Sequence, residues 1–135
     1  MKKGYKIQLQ FDLPASPDDV FNAFTNSELI QVWSKKEGFV EPRIGGKLSY
    51  FDGQISGIVK EYDPGYYLGY TIRETNWADD WEDSMVEYSF TPKKNGSGIL
   101  ILHRDLPNEE ALEKWEVTWN GLMIPQVRSL FELTY

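Results

Sequence analysis

Few side chains in this sequence could do polar chemistry. His103 is the only imidazole and there is no cysteine. Facing an interior, His103 could serve as a general base or hold the polar end of a bound molecule. The competing reading is a histidine held by one neighbour. Composition excludes thiol chemistry, disulfides, Cys-based zinc sites and any mechanism needing two imidazoles. No catalytic residue, metal site or cofactor is assigned. Glu61 is a titratable group that strand alternation points inward, at the opposite end of the sheet from His103. The two cannot work as an acid–base pair, which needs an approach of about 3 Å or one bridging water. A carboxylate partner for His103 comes more readily from Asp79, Asp80 or Asp83. The phosphate-loop, dinucleotide, nucleophile-elbow and HExxH signatures are all absent.

Aromatic chemistry is more abundant, with five Trp, eight Tyr and seven Phe. Trp33, Tyr50, Tyr70, Tyr88, Trp115 and Trp119 are expected to share one interior space. They are either a packed core or a pocket of rings with polar tips, whose hydroxyls need a partner, water or a ligand. Thr75 to Asp83 adds four acids with Trp77 and Trp81. It reads as a solvated loop whose indoles fold back on the core, or as a lid drawing a cationic or polyhydroxy ligand. Its spacing does not fit an EF-hand.

These groups must be positioned by elements that the patterning predicts. Ile7, Leu9, Phe11 and Leu13 alternate with polar residues, as in a half-buried strand. Ser16-Pro17-Asp18-Asp19 starts a helix, with Ser16 as cap and Pro17 in the first turn. Asn26-Ser27-Glu28 starts a second short helix through Trp33. An antiparallel meander follows. Asp52-Gly53 fits a two-residue hairpin turn that pairs Tyr50 with Ile55 and Leu48 with Gly57. Leu48, Tyr50, Ile55, Val59 and, by period two, Glu61 then face one way. A two-residue loop at Pro64-Gly65 would carry that face on to Leu68, Tyr70 and Ile72. Val86, Tyr88 and Phe90 share a face of the next strand. Ile99 to Leu102 is apolar on both sides, so its inward face is open. A long helix capped by Asn108 ends the chain, and Pro125 predicts a kink or a new helical piece there.

The chain has 135 residues, 41% hydrophobic, with a formal charge of −7. This suits one domain spanning residues 1–135. The acidic balance argues against nucleic acid and anionic membrane as partners. Met1-Lys2-Lys3 is followed by no apolar stretch and no run is long enough to span a bilayer, so a cytoplasmic protein is expected.

The order of elements, with certain local sequences, resembles the START-like (SRPBCC, Bet v allergen-type) superfamily, nearest the heat-shock-protein-90 ATPase activator homologue family. The resemblance rests on Ala15-Ser16-Pro17, Leu29-Ile30-Gln31-Val32-Trp33, Gly45-Gly46-Lys47-Leu48 and the stretch from Gly57-Ile58-Val59 to Asp63-Pro64. It continues through Tyr70-Thr71, His103-Arg104-Asp105-Leu106-Pro107 and Trp119-Asn120-Gly121-Leu122. It implies an α+β helix-grip fold: about seven curved antiparallel strands around a long C-terminal helix, with two short helices after the first strand. It also implies that Ile99, Ile101 and His103 face inward, and that an apolar cavity lies between sheet and helix. The expected lining is the six aromatic residues above with Leu48, Val59, Ile72, Val86, Ile101, His103 and Met123. Trp77 and Trp81 stand at its mouth. A ligand burying about 250 Å² of apolar surface there would gain ~6 kcal/mol gross, leaving micromolar affinity or weaker. The function expected is thus binding of a small apolar or amphipathic molecule. The alternatives are a chaperone or other protein interaction module and, last, a cyclase- or hydrolase-like enzyme.

Overall fold

The computed structural model describes residues 4–132, so the Met1-Lys2-Lys3 segment lies outside the described residues. Strand β1 (Tyr5–Leu13) follows the predicted alternation. Ile7 and Leu13 enter the core, while Leu9 and Phe11 stay half-buried. Ser16 caps α1 (Pro17–Thr25) by accepting from the Asp19 N–H at 3.2 Å. Asn26 serves both short helices. Its N–H closes α1 on the Asn22 carbonyl, and its side chain accepts from the Leu29 N–H to open α2 (Ser27–Ser34). One short polar residue thus satisfies orphan groups of two helix ends.

Strands β2 (Phe39–Val40), β3 (Lys47–Tyr50), β4 (Ile55–Asp63), β5 (Tyr67–Glu74), β6 (Ser84–Lys93) and β7 (Gly96–Leu106) complete the sheet. Its seven strands run in the order β1-β7-β6-β5-β4-β3-β2, and every pairing is antiparallel. The β3–β4 hairpin has the expected register, Tyr50 opposite Ile55 and Leu48 opposite Gly57. Phe51, Asp52 and Gly53 all adopt positive φ, one left-handed residue more than a two-residue hairpin turn requires, and the register is kept.

The β4–β5 hairpin corrects one expectation. Its loop holds three residues, Pro64-Gly65-Tyr66, so Asp63 pairs with Tyr67. A bulge between Val59 and Glu61 absorbs the extra residue, and Val59 still meets Tyr70. Leu68, Tyr70 and Ile72 therefore point inward as expected. Beyond the bulge the parity of β4 inverts. Tyr62 takes the inward position against Phe21 at 5.3 Å, and Glu61 turns outward. There it lies with Glu87 and Arg104. Loss of hydration and the Glu87 carboxylate raise the Glu61 pKa, which Arg104 partly offsets.

The C-terminal rod comprises α3 (Glu109–Thr118), a π turn (Trp119–Met123) and α4 (Ile124–Phe131). Asn108 caps it through the Ala111 N–H at 2.8 Å. Pro125 starts a new helical piece without a break, because the wide turn ahead of it pairs the Ile124 N–H with the Trp119 carbonyl. Pro125 then sits in the first turn of α4, where a missing N–H costs little. The result is an α+β helix-grip fold with the core between the sheet and the rod.

Candidate functional site between sheet and helix

The aromatic residues singled out in the sequence form one ring-to-ring series across the interior. Trp33 of α2 lies 6.4 Å from Tyr50, Tyr50 is 6.2 Å from Tyr70, and Tyr70 is 5.6 Å from Tyr88. Tyr88 meets Trp119 edge-on at 6.1 Å, and Trp119 tilts against Trp115 at 6.0 Å. Alternation in β3, β5 and β6 places the tyrosines, and steps of four along the rod place the tryptophans. Leu48, Val59, Ile72, Val86, Ile101 and Met123 are buried in the same core.

Each polar tip in the series is satisfied by the protein itself. The Trp33 indole donates to the Ala23 carbonyl at 2.7 Å, and the Tyr50 hydroxyl donates to the Phe24 carbonyl at 2.5 Å. Tyr70 and Tyr88 share a hydroxyl–hydroxyl bond. Burial first, and repulsion from the neighbouring hydroxyls second, raises the pKa of Tyr50, Tyr70 and Tyr88 well above the usual tyrosine value, with hydrogen bonding among them partly offsetting the rise at Tyr70 and Tyr88. The space left among Tyr50, Tyr70, Ile72, Trp115, Trp119 and Met123 is about 10 Å³. That is room for about one water molecule.

His103 is fully buried at the Trp119 end of the series. Its Nδ1 lies 3.0 Å from the Trp119 indole nitrogen and its Nε2 lies 3.0 Å from Ser84 Oγ. Indole can only donate, so Nδ1 must accept and the ring proton sits on Nε2, facing Ser84. Burial pushes the His103 pKa down to about 3. Neither nitrogen is left free to take a proton from a substrate. The partners are a serine and an indole rather than Asp79, Asp80 or Asp83. Alternation along β6 held the signal for Ser84, which sits two residues before Val86.

Glu74 was equally accessible by counting, two residues beyond Ile72. It is buried and accepts from the Trp115 indole at 2.9 Å and from the Lys114 ammonium. The segment after it is a tethered strap. Arg73, on the outer face of β5, bonds Asp83 at 2.7 Å, the Ala78 carbonyl at 3.0 Å and the Trp81 carbonyl. Trp77 folds into the core, and half-buried Trp81 stands 6.3 Å from it. A depression of about 140 Å³ remains between these indoles and the start of α3, bounded by Glu74, Glu110 and Lys114. Among the described residues no three His, Asp or Glu gather as metal ligands, and no helix is long and apolar enough to cross a membrane.

A family model described as "Activator of Hsp90 ATPase homolog 1-like protein" matches residues 14–132. The chain is 25% identical over 125 residues to an activator of 90 kDa heat shock protein ATPase homolog from Dictyostelium discoideum, covering 93% of this chain and 32% of that protein. It is 23% identical over 126 residues to the human homolog 1, covering 93% and 37%. It thus spans about a third of the length of the curated relatives it matches. Among solved structures, an HSP90 activator from Plasmodium falciparum superposes with a TM-score of 0.82 at 21% identity, over 96% of each chain. A Chromobacterium violaceum protein gives 0.76 at 23% identity, over 94% and 96%. These structural likenesses speak to the fold.

Proposed function

The chain belongs to the activator of Hsp90 ATPase homolog 1-like family, and from that premise we propose that it binds a chaperone of the 90 kDa heat-shock class through its outer surface. The observation that supports this reading is how little room the described residues leave beside Trp119. With about 10 Å³ between Trp119 and the sheet, and the tyrosine and indole tips engaged internally, the core works as a rigid scaffold. A drug-sized ligand needs a cavity of roughly 300 Å³ or more. The names of the curated relatives supply the partner class. The outer surface supplies charge: Glu109, Glu110, Glu113 and Glu116 are all exposed on α3, in a chain of net charge −7. A complementary basic face would be steered toward it.

The test mixes the purified chain with a purified 90 kDa heat-shock chaperone and measures complex formation and ATP hydrolysis. A salt-sensitive complex weakened by Glu113→Lys/Glu116→Lys supports the reading. Absence of binding at about 100 μM chain, roughly a 5 kcal/mol interaction, would sink it.

A small amphipathic ligand is the second reading. The 140 Å³ depression beside Trp77 and Trp81 favours it, being open where the core is closed. Native mass spectrometry of protein purified from its own cells separates the two. A reproducible mass released on denaturation supports the ligand, and a bare chain supports the scaffold.

A further inference from the structure

The seven-stranded sheet ends on one side at β2, two residues long, and on the other at β1, nine residues long. A long uncovered edge is a template for another strand. The Asp12 carbonyl accepts from Arg128 Nη1 at 3.1 Å, so the backbone of Asp12 faces away from β7. By period two the N–H and C=O groups of Gln8 and Gln10 face the same way, and so do those of Lys6, because the register shift beside it stores its extra residue in β7. Among the described residues the Arg128 contact is the one hydrogen bond received on that edge.

We propose that β1 is a self-complementary interface on which a second copy of this chain docks its own β1, antiparallel, with Leu9 on the two-fold axis. In that register Lys6 lies opposite the mate's Asp12, and Gln8 lies opposite its Gln10. All four are outward-facing, hydrogen-bonding positions, so the parity required of an antiparallel ladder is met. The ladder would hold about eight backbone hydrogen bonds, two per bonded pair, once Arg128 releases Asp12. On the inner face Ile7 would meet Phe11 of the mate, and Leu9 would meet Leu9. Leu9 and Phe11 are inner-face positions of β1 that remain only half-buried, and the mate would cover them.

Charge selects this arrangement over its neighbours. Sliding the mate by two residues sets Lys6 opposite Gln10 and Asp12 opposite Gly4 one way, or Lys6 opposite Pro14 and Asp12 opposite Gln8 the other, so neither charge meets its opposite. A parallel alignment in register sets Lys6 beside Lys6 and Asp12 beside Asp12. Opposite charges directly across an antiparallel pair stabilise it and like charges destabilise it. Lys6 makes no ion pair among the described residues. Asp12 has an exposed contact with Lys93 at 3.1 Å, which the incoming lysine can share. The interface is isologous, so each ion pair occurs twice and the assembly closes at two copies.

Sedimentation equilibrium of the full chain from about 1 to 500 μM reads the proposal, with dissociation expected at about 10–100 μM for so small a contact. Lys6→Glu should weaken the dimer about tenfold by replacing two attractive pairs with two repulsive ones. Lys6→Glu/Asp12→Lys should return it to within about threefold of the parent. Gln10→Pro removes an edge donor without touching the bonds to β7, and should give a monomer with an unchanged melting temperature. A parent that stays monomeric at 500 μM overturns the proposal. So does a dimer indifferent to both Lys6→Glu and Gln10→Pro, or a charge swap that fails to restore association while melting normally.

Discussion

Acid should weaken this protein through one residue. His103 is the sole histidine, is fully buried, and has a folded-state pKa of about 3, against about 6.5 for an ordinary imidazole. Below pH 6.5 the unfolded chain takes up a proton that the native chain refuses, because protonating Nδ1 would set two N–H donors against each other at Trp119. The unfolded state therefore binds more protons, and stability falls as pH falls, from about 6.5 down to about 3. At 1.36 kcal/mol per unit, about 2 kcal/mol is lost by pH 5. That is a large share of the roughly 5–15 kcal/mol that holds a domain folded. Urea titrations at pH 7, 6 and 5, followed by tryptophan fluorescence, measure it. His103→Gln provides the control, since an amide can accept from Trp119 and donate to Ser84 without titrating near neutrality. The variant should start lower at pH 7, by about 1–2 kcal/mol for imperfect packing, and lose almost nothing more by pH 5. Equal slopes for both proteins between pH 7 and 5 would refute the reasoning, as would a folded-state imidazole resonance titrating near 6.5.

At alkaline pH the sign reverses for Tyr50, Tyr70 and Tyr88. Their raised pKa values contribute stability below pH 10 that is lost as pH climbs toward the folded-state values. Absorbance at about 295 nm should show these three of the eight tyrosines ionising only as the chain unfolds, and early ionisation of all eight would count against the buried series. Trp119→Phe keeps most of the packing but leaves His103 Nδ1 without its donor, so a loss of about 2–3 kcal/mol is expected in urea titration; a loss under 0.5 kcal/mol would contradict the pairing. A methyl group on Gly57 would lie 1.7 Å from the Thr71 carbonyl oxygen, so Gly57→Ala should cost about 3 kcal/mol or fail to fold, whereas a neutral outcome in thermal melts would contradict the close approach of β4 and β5. Glu61→Gln relieves a carboxylate crowded by Glu87, so its melting temperature should exceed the parent's slightly at pH 7 and not at pH 4; the opposite order would place Glu61 elsewhere.

Local rules made much of the fold legible. The helix starts at Ser16, Asn26 and Asn108 follow from side chains able to accept a backbone N–H. Asp52-Gly53 admits two positive φ angles, which was enough to set the β3–β4 register to the residue. Glu61 shows where such reasoning stops. Pro64-Gly65 announces a turn but not its length, and the compensating bulge depends on the Val59–Tyr70 contact across the sheet. Counting by twos through a bulge misassigns everything past it, so Tyr62 was overlooked. For Ile99 to Leu102, apolar on both sides, only the likeness to a known fold chose the inward face. The six central aromatics did come together, but sequence does not encode how much room they leave, since packing is a sum over all side chains. The hydroxyls of Tyr70 and Tyr88 met each other, and the nitrogens of His103 met Ser84 and Trp119. Tyr70, Tyr88 and Ser84 were inward-facing by strand alternation and Trp119 by helical spacing, and they could have been paired by counting donors and acceptors.

The π turn has a consequence for how the rod keeps one face on the sheet. Ala111, Trp115, Trp119, Met123 and Val127 are all buried, four residues apart. In an unbroken α-helix each such step advances about 40°, since a residue turns about 100°, and four steps would swing Val127 about 160° from Ala111. The one residue stored in the wide turn takes back about 100° of that, leaving the stripe nearly straight from end to end. The turn acts as a phase corrector, and Pro125, by withholding an N–H where an ordinary turn would use one, keeps it from annealing away. Annealing the turn into regular α-helix with every residue kept would send Val127 toward solvent, whereas removing Gly121 as well would leave Val127 fifteen positions from Ala111 and return it to the buried face at about 60°.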